Sequence, residues 1–78
     1  MKEGLLWFDN DPVRALEEKV QRASRRYQQK YGRQPNVCYV HPSLLEGRTQ
    51  EVGGAVRVAP LPSVLRHHFW VGVEEGRV

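Results

Sequence analysis

A chain of 78 residues with one cysteine, 40% hydrophobic and 27% charged residues, is long enough for a single domain with a thin core and excludes an internal disulfide. No apolar run reaches the roughly 18 to 20 residues of a membrane span, and the opening MKEGLLWFDNDP is too short in apolar residues for a secretory signal, so a cytoplasmic protein with a reduced Cys38 is expected. The formal charge of +3 is concentrated, because residues 19–33 hold Lys19, Arg22, Arg25, Arg26, Lys30 and Arg33 with no acid among them.

In chain order, residues 4–8 (GLLWF) read as a first strand. Asp9-Asn10-Asp11 follows, and this D-x-D spacing after a strand resembles the way phosphotransferases of the haloacid dehalogenase type place a nucleophile and an acid beside Mg²⁺. Pro12-Val13 stands here where those enzymes carry Gly-Thr, so the short acceptors are read instead as a turn and helix cap. A helix is predicted over residues 12–31, where Val13, Leu16, Val20, Ala23, Tyr27 and Tyr31 recur at spacings of three and four. Asp11 is the expected N-cap, Pro12 the first helical position and Gly32 the left-handed terminator. Glu17 and Glu18 early and the cations late suit the helix dipole.

Residues 36–41 (NVCYVH) read as a second strand bounded by Pro35 and Pro42, and strand–helix–strand with short joints predicts a right-handed crossover between a parallel pair. Residues 43–51 are a connector with a helical turn at 43–45. A third strand over residues 52–59 begins at Gly53-Gly54 with a bulge or a flexible start, Pro60-Leu61-Pro62 is extended, and the fourth strand covers residues 67–74. The order β-α-β-β-β predicts an α+β domain, one long amphipathic helix packed on one face of a three- or four-stranded mixed sheet.

One helix cannot cover the second face of such a sheet. Strand alternation sends Leu6, Phe8, Cys38, Val40, Val56, Val58, His67, Phe69, Val71 and Val73 towards the helix. The uncovered face then receives Leu5, Trp7, Val37, Tyr39, His41, Ala55, Arg57, His68, Trp70, Gly72 and Glu74. The expected interface or ligand face is therefore Trp7, Tyr39, His41, Arg57, His68 and Trp70. A large aromatic surface of this kind marks a binding surface. Two copies packing such faces together would relieve a thin core, so the expected function is a noncatalytic interaction, assembly or regulatory module, homodimeric or bound to another protein.

The alternative is binding of single-stranded RNA or DNA. Arg22, Arg26, Lys30 and Arg33 line one helix edge and are the phosphate-contacting candidates, while Trp7, Tyr39 and Trp70 offer stacking rings; the two sets fall on opposite sides of the sheet. A small ribonuclease toxin is a fold-level analogy, with Tyr39, His41, Arg57 and His68 as its acid–base set. Cys38, His41, His67 and His68 are enough ligands in number for zinc, but strand alternation separates them, so no metal and no cofactor is expected. Ser43 or Cys38 as a nucleophile lacks a surrounding glycine elbow, and Cys38 facing the helix would be an inert buried thiol.

Overall fold

The computed structural model describes residues 4–45, 50–53 and 55–74. It contains strand β1 (Gly4–Phe8), helix α1 (Leu16–Tyr31), strand β2 (Val37–Val40), a 3₁₀ turn (Pro42–Leu44), and strands β3 (Gln50–Val52), β4 (Val56–Pro60) and β5 (His68–Gly72). The sheet order is β1-β5-β2-β4-β3; β5 runs antiparallel to both β1 and β2, β2 and β4 are parallel, and β3 is antiparallel to β4. The α+β class and the single helix on one face of a mixed sheet are as expected, with five strands rather than three or four.

The core lies between α1 and one sheet face. Val20, Ala23 and Tyr27 of the helix are buried against Cys38, Val40, Val52, Val56, Val58, Phe69 and Val71, with Leu5, Trp7, Leu16, Tyr31 and Val73 packed at its margin. Gly32 ends the helix in the left-handed conformation, φ 74°, its N–H donating to Gln28 O at 2.8 Å. Tyr31 Oη donates to Gly4 O at 3.4 Å and links the helix end to β1.

Several expectations are corrected. The helix begins at Leu16 and not at residue 12, because Asp9 and Asp11 build consecutive turns: Asp9 Oδ1 accepts the Asp11 N–H at 3.1 Å and Asp11 Oδ1 accepts the Val13 N–H at 2.9 Å. Ala15 is the N-cap residue, and Val13, expected on the apolar stripe, is 91% exposed. Arg14 closes this turn by reaching Asp9 at 2.9 Å, Asp11 at 3.4 Å and Glu18 at 3.6 Å. Burial disfavours charge on Asp9, but the Asp11 N–H and the Arg14 guanidinium outweigh it and hold the carboxyl below its ordinary value.

β1 and β2 run in the same direction, as a crossover requires, but they are not neighbours: β5 lies between them and pairs with both. The extra strand β3 joins Gln50 and Glu51, assigned to the connector, to Val52, the expected start of the third strand, and Gly53, φ 65°, turns the chain towards β4 where a bulge or a flexible start was expected. Gly54 lies outside the described residues. His67 is not an inward strand residue. It adopts φ 68°, is exposed, and its carbonyl accepts the Asp9 N–H at 2.9 Å, so β5 starts one residue later.

The phase of β1 is the reverse of that expected. Leu5 pairs opposite Val71 and Trp7 opposite Phe69 on the helix side, while Leu6 stands opposite Trp70 and Phe8 opposite His68 on the other face. GLLWF is apolar at four successive positions, so alternation gives it no phase by itself, and the indole fills space under the helix. The phases of β2, β4 and β5 over residues 37–40, 56–58 and 68–72 are as expected.

Candidate functional site

The face opposite the helix divides into a covered, polar part and a bare, apolar part. In the covered part, Asn36 fixes the chain after β5: its Nδ2 donates to Glu74 O at 3.2 Å and its Oδ1 accepts the Glu74 N–H at 2.7 Å. This brings the Glu74 carboxylate to Tyr39, whose hydroxyl donates to it, with Arg57 beside both. The hydrogen bond from Tyr39 lowers the Glu74 carboxyl below its ordinary value, and the same bond to Glu74 raises Tyr39, so the proton stays on the phenol. Val37 and Ala59 share this face and are buried.

The bare part lies at the β1–β5 side. Leu6 is 56% exposed, Phe8 53% and Leu65 69%. Residues 61–65 fold against this face, and Leu6, Leu61, Val64, Leu65, His68 and Trp70 line an apolar groove of about 310 Å³. Phe8 stands beside it, its ring 5.1 Å from that of His68 and 6.4 Å from that of His67. His68 Nδ1 is 3.0 Å from Arg66 O, which orients the imidazole along the groove wall.

The expected face residues therefore separate. Trp70 and His68 belong to the bare groove, Tyr39 and Arg57 belong to the polar cluster, and Trp7 leaves the face for the helix side. His41 sits at the end of β2, where its Nδ1 accepts the Ser43 N–H at 3.1 Å and caps the 3₁₀ turn. That contact also occupies Ser43, whose Oγ is 2.8 Å from the same nitrogen. Cys38 is buried among apolar groups, which push its thiol up to about 12 and keep it from acting as a nucleophile. Among the described residues no three His, Cys, Asp or Glu side chains come together as metal ligands.

Sequence reasoning missed Leu6, Phe8 and Leu65. The only signal for the first two was the phase of β1, which depends on β5; Leu65 was assigned to no surface.

On the helix side, Arg22, Arg25, Arg26 and Gln29 share a flank of α1 and, with Trp7, line an open cleft of about 250 Å³. Arg22 lies 3.6 Å from Glu18, and Arg26 donates to Gln29 Oε1 at 3.4 Å. Of the other two phosphate-contacting candidates, Lys30 has its ammonium 5.3 Å from the centre of the Tyr31 ring and Arg33 follows Gly32 beyond the helix. Neither lines the cleft. No helix is long and apolar enough to cross a membrane among the described residues. Comparison with family models, with curated proteins and with solved structures finds no match to the chain.

Proposed function

We propose that this protein is a noncatalytic interaction module that pairs with a second copy of itself through the bare part of its sheet face. The observation that carries this reading is the adjacency of a protruding apolar ring, Phe8, and an apolar groove walled by Leu6, Leu65 and Trp70. A two-fold interface needs one patch to be complementary to itself, and a knob beside a hole of matching chemistry supplies that. Water-exposed leucine and phenylalanine side chains clustered on one patch also gain free energy when a partner covers them, about 25 cal/mol per Å² removed from water.

The noncatalytic reading rests on what the ionisable groups of the face already do. Tyr39 keeps its proton against Glu74, and His41 is engaged as a turn cap. Arg57, opposite Glu51 in the ladder and beside Glu74, has carboxylates on both sides. Those carboxylates also disfavour a nucleic-acid backbone on this face.

Sedimentation velocity over a wide concentration range tests the proposal. The wild type should shift reversibly from monomer to dimer, and Leu6→Glu and Phe8→Glu should remain monomeric with an unchanged circular dichroism spectrum. A wild-type chain that stays monomeric at millimolar concentration refutes pairing, as does an undiminished dimer in both variants.

A further inference from the structure

The basic helix edge and the tryptophan of β1, which the sequence places on opposite sides of the sheet, meet in one cleft. We propose that this cleft, between α1 and the edge strand β1, binds a nucleoside phosphate, free or within a single strand, with Arg25 and Arg26 taking the phosphate and Trp7 flanking the base.

The cations come first. Arg22, Arg25, Arg26 and Gln29 recur at intervals of three, one and three along α1, which is the spacing of one helix flank. Arg22 shares Glu18 with Arg14, both at 3.6 Å, so its charge is partly answered. Arg25 has no carboxylate within ion-pair distance among the described residues, and the contact of Arg26 is to a neutral amide. Both guanidiniums line the same cleft, and each has spare donors in the planar fork that suits the oxygens of a phosphate.

The second element is the indole. Trp7 is partly buried, lines the same cleft, and has an Nε1–H that is shielded from water with no hydrogen-bond partner among the described residues. With that N–H shielded, what Trp7 offers the cleft is the rest of its ring, an apolar aromatic wall beside the guanidiniums. Rings and guanidiniums together recognise a base and its phosphate by stacking and charge, without reading sequence. The cleft, about 250 Å³ and open to solvent, is smaller than an enclosing ligand pocket, so a bound nucleotide would stay partly exposed.

The cleft is separate from the bare sheet face, since the sheet lies between them, so binding here neither requires nor prevents self-pairing. Titration followed by the two tryptophan indole N–H signals in a ¹⁵N–¹H spectrum tests it, with Trp7→Phe used to assign the Trp7 signal. Adenosine monophosphate and a short oligothymidylate, each at low salt, are the probes, with adenosine as the control without phosphate.

The expected result is a saturable shift of the Trp7 signal, but not of the Trp70 signal, with at least one phosphate-bearing probe and none with adenosine. The double substitution Arg25→Ala and Arg26→Ala, at exposed positions that leave the fold intact, should weaken it about tenfold or more, the loss of one to two charged contacts. Saturation by the monophosphate identifies a free nucleotide as sufficient. Saturation by the oligonucleotide alone, with affinity falling as salt rises, identifies the strand. No shift with either probe, an equal shift with adenosine, or full affinity in the double variant overturns the proposal.

Discussion

The two faces of the sheet are built to opposite rules. On the helix side, small and branched residues, Cys38, Val40, Val56, Val58 and Val71, close on Val20, Ala23 and Tyr27 with almost no exposed area. On the other side, Tyr39, Arg57 and Glu74 satisfy one another while Leu6, Phe8 and Leu65 stay exposed to water. The chain thus places its tight packing where its single helix lies. Three of its exposed large apolar side chains, Leu6, Phe8 and Leu65, lie on or beside the β1–β5 part of the other face.

The largest break in that contrast comes from exchanging equivalent residues across the faces. Phe69→Ala, at a fully buried ring, should cost about 3 to 5 kcal/mol of stability in chemical denaturation, enough to unfold a domain of this size in part. Phe8→Ala, at a half-exposed ring, should cost under about 1 kcal/mol and be felt in self-association instead.

The same test works on adjacent positions of β1. Trp7→Ala should destabilise by about 2 to 4 kcal/mol, whereas Leu6→Ala should change stability by less than about 1 kcal/mol. Equal effects at the two positions would mean that β1 does not keep the phase described.

A smaller effect concerns the turn that precedes the helix. Arg14→Ala leaves the buried Asp9 carboxylate with one partner fewer and should lower the melting temperature at neutral pH by several degrees. Because Asp9 is held below its ordinary value in the folded state, the unfolded chain binds the proton first as acid is added. The stabilisation is complete above the unfolded value of about 3.9 and is lost as pH falls through the folded one. Arg14→Ala should flatten that acid-side slope, which a series of melts between neutral and acidic pH would record.

The smallest effect is at His67. Its φ of 68° strains a side chain with a Cβ, so His67→Gly should hold or raise stability by up to about 1 kcal/mol while His67→Val lowers it by about as much. Thermal melts of the two variants should move in opposite directions.

The helix and the identity of four strands were legible because their signals are local. The stripe of Leu16, Val20, Ala23, Tyr27 and Tyr31 repeats at helical spacing, and Gly32 and Pro35 mark where it must stop. The phase of β1 was not legible, since four consecutive apolar residues fit either face and only the pairing of Trp7 with Phe69 and Leu6 with Trp70 decides between them. That pairing joins segments remote in sequence. The helix start was misplaced because Asp9 and Asp11 offer side-chain acceptors to nearby N–H groups, which competes with the helix at Pro12 and Val13. For the site, Trp70 and His68 followed from simple alternation, while the meeting of Trp7 with Arg22, Arg25 and Arg26 depended on the reversed phase of β1.

The place of β5 between β1 and β2 makes β1 depend on the most distant pairing in the sheet. Among the described residues β1 has no sheet neighbour other than β5, and Phe8 and His68 are about sixty residues apart, so closing that loop costs about 2 kcal/mol more entropy than closing a hairpin of four residues. Loss of the β5 pairing would leave Leu5, Trp7 and Phe8 without a strand partner among the described residues. The parallel pair β2–β4 joins segments about twenty residues apart, so β5 is the strand that ties the remote β1 to the rest of the sheet.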